Sequence, residues 1–178
     1  MLKPKVMSWL AAALLFGGCT KSTAPVAPAT APVAPATATT KQEAVAAMER
    51  HDYVTAERLY RSLAEKGDAS AQHFLGKMYE NGEGVRQDSA EAAKWFRLAA
   101  DQGHTGAQFY LGGMYASGSG VPQDYVQAYM WLDLSSAGEQ NFYATASRSA
   151  VADKMTPAQI VEAQRRASAW KSKRPDQP

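Results

Sequence analysis

The chain repeats itself every 36 residues, and this constrains its fold more than any other feature. Ala71, Gln72, Leu75, Gly76, Met78 and Tyr79 recur as Ala107, Gln108, Leu111, Gly112, Met114 and Tyr115. Gly82, Gly84, Val85, Gln87 and Asp88 recur as Gly118, Gly120, Val121, Gln123 and Asp124. That makes eleven identities across the eighteen positions of 71–88 and 107–124, far beyond chance. Trp95 and Trp131 share the lattice, and Asp52, Leu59, Ala64 and Gly67 extend it upstream. A unit of this length cannot bury its own apolar face, so it must stack on its neighbours.

Each unit reads as two helices. Ala71, Phe74, Leu75, Met78 and Tyr79 have the spacing of one α-helical face, and Ala92, Ala93, Phe96, Ala99 and Ala100 have that of a second. Gly82 and Gly118 stand where a left-handed helix end belongs. Asp88 with Glu91, and Asp124 with Gln127, are spaced as capping boxes. Outside the two clear units, 42–50 and 53–66 read as a degenerate first pair, and 142–154 and 157–171 as a terminal pair. Thr156-Pro157-Ala158-Gln159 marks the last start, after which Ile160, Val161, Gln164, Ala167 and Trp170 are expected to face one way. With only one isoleucine and a core rich in alanine, closely packed helices suit the composition better than a β-sandwich. The expected fold is all-α: an α-solenoid of about four antiparallel helix pairs.

The pattern Ala-Gln-x-x-Leu-Gly-x-Met-Tyr, Gly-x-Gly-Val-x-Gln-Asp, Ala-x-x-Trp resembles the Sel-one-like repeat family, relatives of tetratricopeptide repeats. The resemblance covers about 42–172, with full matches at 69–103 and 105–138. It implies a right-handed superhelix used as an adaptor or binding scaffold, in a family whose members are commonly exported in bacteria.

The first forty residues read as an address and a tether. Lys3 and Lys5 precede the apolar run Val6–Phe16, about half of the ~20 residues that span a bilayer, which suits a signal peptide. Gly17-Gly18-Cys19 is similar to a bacterial lipobox, although Phe16 stands where leucine is usual, and it implies acylation of Cys19, the single cysteine. A plain secretory cleavage near the same glycines is the alternative. By the rule of such lipoproteins, Thr20 points to the outer membrane. Ala24–Thr30 then repeats unchanged as Ala31–Thr37, with prolines that favour extended polyproline II over helix. The expected layout is a signal peptide (1–18) and a lipidated cysteine with an unstructured Pro/Ala/Thr linker (19–40). A degenerate repeat (41–68), repeats at 69–103 and 105–138, a capping pair (139–172) and a basic tail (173–178) follow.

A net charge of +2 does not announce nucleic acid, and the lone cysteine excludes a disulfide framework. His51, His73 and His104 lack metal-ligand spacing, so no metal or other cofactor is expected. Ser168-Ala169-Trp170-Lys171 matches the Ser-x-x-Lys of β-lactam-reactive enzymes, but no Lys-Thr-Gly or Ser-Asp-Asn follows, and coincidence is the preferred reading. Leu75, Gly76, Met78, Tyr79, Gly82, Gly84 and Trp95, with Leu111, Gly112, Met114, Tyr115, Gly118, Gly120 and Trp131, are assigned to structure because they repeat. Contact with a partner is expected where equivalent positions differ: His73/Phe109, Lys77/Gly113, Glu80/Ala116 and Asn81/Ser117. The leading expectation is a non-catalytic envelope lipoprotein, facing the periplasm, that binds a protein or peptide. The alternatives are a structural tether or peptidoglycan binder, drawing on the basic C-terminus, and a hydrolase acting through Ser168.

Overall fold

In a computed structural model, residues 36–137 and 142–173 are described, and they form eight helices and no strand. In order these are α1 (Ala36–Glu49), α2 (Tyr53–Glu65), α3 (Ala69–Asn81), α4 (Ser89–Asp101), α5 (Thr105–Ser117), α6 (Tyr125–Ser136), α7 (Phe142–Ala152) and α8 (Pro157–Ser172). The expected signal peptide, Cys19, most of the linker and the tail beyond 173 lie outside the described residues. Helices pair as α1–α2, α3–α4 and α5–α6, and each hairpin packs on the next through α2–α3, α4–α5 and α6–α7. This is the expected α-solenoid.

The repeat lattice works through a few contacts that recur at its period. Gly82 and Gly118 take φ of 76° and 78° and close α3 and α5, their N–H groups donating to the Met78 and Met114 carbonyls, 2.8 Å each. The chain then turns at Gly84 and Gly120, where a Cβ would run into the carbonyls of Tyr53 and Ser89 respectively. These loops therefore lie directly on the start of the preceding hairpin's second helix, and only glycine permits both the positive φ and the approach. Asp88 and Asp124 cap the second helices, accepting from the Glu91 and Gln127 amides at 3.1 and 3.0 Å. Within each hairpin Gly76 sits against the Phe96 ring and Gly112 against Leu132, so the helices approach closely.

The buried side chains form a series of overlapping clusters. Ala71, Leu75 and Met78 join Ala56, Tyr60 and Leu63; Phe96, Ala99, Leu111 and Met114 join Trp131; Leu132 and Tyr129 join Val151 and Ala163. Trp95 packs on the first and Trp131, 2% exposed, is inside the second, as their repetition predicts.

Four details depart from expectation. Helix α1 begins at Ala36, six residues before the expected start at Gln42 and inside the segment assigned to the linker. The last linker proline is Pro35, so nothing after it forbids helix. At Asp88 and at Asp124 only half of the expected capping box forms, the cap carboxylate accepting from the helix amide; at Asp88 the Glu91 carboxylate turns to Lys94 instead. Thr156 does form the full box: the Gln159 amide donates to Thr156 Oγ1 at 3.3 Å, and the Thr156 amide donates to Gln159 Oε1 at 2.8 Å. Finally, α7 and α8 are not a hairpin like the others; both lean on α6. The buried stripe of α8 is Ala163 and Ala167, while Val161, expected to face inward, is 64% exposed. Ala163 fills the last cluster and Ala167 the one around Trp131, so α8 lies along α6 across both. Trp170 meets Trp131 edge to face, with centroids 6.1 Å apart at 74°.

Candidate functional site

The eight positions singled out by their variation lie on α3 and α5 and fall into two groups. His73 and Phe109 are turned between units. The His73 ring contacts Phe96, His104 and Tyr110, and Phe109 packs against the C-terminal cluster. Ala116 joins that cluster too. The others lie nearer the outer surface. Asn81 and Ser117 are exposed at the helix ends, where Asn81 donates to Glu83 and the Ser117 hydroxyl donates to the Gly113 carbonyl at 3.0 Å. Gly113 is exposed, with nothing within 4 Å of where a Cβ would stand. Lys77 and Glu80 are half-buried; burial pushes the Glu80 carboxyl up, and the Lys77 charge works against that.

The histidines produce a feature that spacing along the chain did not reveal. His104 caps α5, its Nδ1 accepting from the Ala107 amide at 3.2 Å, where the equivalent Asp68 caps α3 with a carboxylate. The His73 ring stacks on His104, with centroids 4.6 Å apart at 23°. Both ring nitrogens of His73 are buried without a hydrogen-bond partner. Burial, reinforced by His104 and Lys77, lowers its pKa to about 4, so the ring is neutral at pH 7. Burial also lowers His104. A neutral aromatic pair serves packing well. Among the described residues no group of three or more side chains is placed to hold a metal ion.

Buried polar ladders are the second feature that reasoning from the sequence missed. Gln72 and Gln108, treated as part of a motif, are buried, and their Nε2 groups donate to the Ala64 and Ala100 carbonyls at 3.0 and 3.3 Å. These carbonyls belong to the last turns of α2 and α4 and already accept from the Gly67 and Gly103 amides at 3.0 and 2.9 Å, so each glutamine adds a second bond at the helix end. Tyr79 and Tyr115 likewise receive hydrogen bonds from Arg61 and Arg97 across the hairpin junction. The signal was present: Gln and Arg recurring at the exact period, on faces otherwise apolar or small, had a fixed partner to find. Ser168 is exposed on α8, as is Lys171 one turn away.

A helical-repeat scaffold is thus the class defined by this arrangement of hairpins, ladders and glycine contacts. Family models match it as Sel1 repeats at residues 47–68, 69–104 and 105–138, and the chain belongs to the Sel1 repeat family. Among solved structures it is similar to c5321, a protective antigen present in uropathogenic Escherichia coli strains displaying an SLR fold. There the identity is 32%, the TM-score 0.73, and the match covers 77% of this chain and 30% of that one. A Sel1 repeat protein from Oxalobacter formigenes is 34% identical, with a TM-score of 0.52 over 54% of this chain and 28% of that one. The chain thus spans about a third of the length of these relatives. Curated proteins include no match.

Proposed function

We propose that the chain is a non-catalytic envelope lipoprotein, anchored through acylated Cys19 at the outer membrane and facing the periplasm. Its repeats bind a protein or peptide. The observation that carries the binding reading is the division of labour along α3 and α5. Positions whose side chains bond to the preceding unit, Gln72/Gln108 and Tyr79/Tyr115, are constant from unit to unit, whereas Lys77/Gly113 and Asn81/Ser117, nearer the outer surface, are free to vary. A scaffold that only had to stack would need no such variation. Cys19 is the only cysteine and sits after small residues at the end of a short apolar run, where a lipid anchor is attached; several acyl chains would hold the protein stably.

Photo-crosslinking residues placed at positions 81 and 113 should capture the same polypeptide in intact envelopes. One placed at Val54, 71% exposed on α2, should not. Capture from Val54 alone, or none from any position, removes the binding reading. Mass analysis of the mature N-terminus tests the anchor separately: an acylated Cys19 supports it, and an unmodified start ends it.

A further inference from the structure

The repeat lattice breaks at one charged position, and the break opens into a cleft. In the first unit Arg61 donates to Tyr79 and also pairs with Glu57 one turn back on α2. Arg97, 36 residues on, donates to Tyr115 in the same way, but the place of Glu57 is taken by Ala93. Among the described residues Arg97 therefore has no ion-pair partner, although it is partly buried. Its guanidinium instead lies over two rings, 5.4 Å from the centroid of Tyr115 and 5.9 Å from that of Trp131.

Arg97 lines an open cleft of about 490 Å³ between α4, α6 and α8. The cations Arg165 and Arg166 of α8 and Lys173 at its C-cap line the same cleft, as does Trp131, against a single acid, Asp101. Trp131 is 2% exposed, and its Nε1–H is buried with no acceptor. An indole N–H can only donate, so the groups lacking partners here all seek a negatively charged or oxygen-rich acceptor. What Arg165 and Arg166 will accept is already visible beside the cleft. Glu162 takes Arg165 as a fork through Nε and Nη2, 2.8 Å each, and takes Arg166 through Nε at 2.7 Å. Planar guanidinium groups favour carboxylates in this geometry.

We infer that this cleft binds an acidic peptide segment of a partner protein, one of whose carboxylates supplies to Arg97 the counter-ion that Glu57 supplies to Arg61. The cleft is a recess with tryptophan in its wall, which suits a side chain entering it. A flat lipid surface would meet only its rim. The site lies on α4, α6 and α8, apart from the α3–α5 face proposed above, so either can fail without the other.

The test uses the ¹⁵N-labelled full chain, titrated at low salt with hexaglutamate peptide while the indole N–H resonances are followed. The Trp131 resonance should move and that of Trp95 should stay, and hexalysine should move neither. The variant Arg165→Gln/Arg166→Gln changes side chains on the outer part of α8 and should weaken hexaglutamate at least tenfold with helicity unchanged. Arg97→Gln keeps a donor for Tyr115, removes the charge, and should have the same effect. An unmoved Trp131 resonance overturns the inference, as do equal shifts at Trp95 and Trp131 or an affinity unchanged in the double variant. Sedimentation of the chain with phosphatidylglycerol vesicles, when hexaglutamate gives no shift, overturns it in favour of a lipid surface.

Discussion

The units at 69–103 and 105–138 share their buried chemistry and differ around it. Gln72 and Gln108 close the ends of the preceding helices, Gly84 and Gly120 lie on equivalent carbonyls, and Tyr79 and Tyr115 receive arginines from the preceding unit. Yet His73 answers to Phe109, and Lys77 to Gly113. The difference teaches that the fold of each unit rests on bonds from side chain to backbone at fixed spacing, together with two close glycine contacts. Apolar volume is interchangeable, as the Phe96–Gly76 and Leu132–Gly112 pairs show, provided that it fills the same gap.

The strongest way to break the shared part is at the loop glycines. Gly120→Ala places a Cβ at a φ of +70° and against the Ser89 carbonyl. The left-handed conformation costs about 1–2 kcal/mol and the clash a similar amount, so a loss of about 3 kcal/mol in urea unfolding is expected. Gly84→Ala meets the Tyr53 carbonyl in the same manner and should cost as much. A loss below about 1 kcal/mol at either site would show that the loops can lift off and that the units are less equivalent than their contacts imply.

A middle-sized effect tests where they differ. His73 is neutral in the folded chain down to about pH 4, whereas an ordinary histidine takes its proton near 6.5. As pH falls through that window the unfolded chain binds a proton that the folded chain refuses, so stability should drop and then level off below about 4. The residue as a whole is only partly buried, although its ring nitrogens are covered, which reduces the full value of the shift to about 1–2 kcal/mol. His73→Phe installs the residue of the next unit and should abolish most of this acid loss. Urea midpoints at pH 7 and pH 4.5 would check it; an equal acid loss in the variant would place the effect at His104 or elsewhere.

Much of the fold was legible because the period exposes it. Helix stripes, glycine ends and the Thr156 cap follow local rules that need no knowledge of the partner helix. What stayed hidden depends on the partner. The His73–His104 stack joins residues 31 apart, off the 36-residue lattice, so no comparison of equivalent positions could pair them. Gln72 and Gln108 were read as motif letters, since their acceptors are backbone carbonyls that a side-chain pattern does not show. The placement of α8 was lost for another reason. With alanine at both buried positions its stripe is faint: Ile160, Ala167 and Trp170 do pack inward, but Val161 and Gln164, counted on the same face, are exposed. Arg97 is the instructive middle case. Its repetition of Arg61 was on the page, and so was the replacement of Glu57 by Ala93, but only the Tyr115 contact and the cleft make the missing carboxylate meaningful.

The smallest effect is the one that sharpens the comparison most, because it separates glycines kept for the fold from one that is not. Gly76 and Gly112 each face a side chain at 2.8 and 2.7 Å from a would-be Cβ, so alanine there must displace Phe96 or Leu132. Gly113 lies next to Gly112 in the same helix and meets nothing within 4 Å. An interior helical glycine costs about 0.5–1 kcal/mol relative to alanine, so Gly113→Ala should stabilise the chain by that amount while Gly112→Ala destabilises it. Thermal unfolding of the two variants would read both signs. Stabilisation at 113 means that the fold gains nothing from this glycine, and its presence needs another cause. If Gly113→Ala also reduces the polypeptide captured from position 81, the missing side chain is room for a bound backbone. If capture is unchanged, the position is indifferent to binding, and contact must be sought at Lys77 and Asn81.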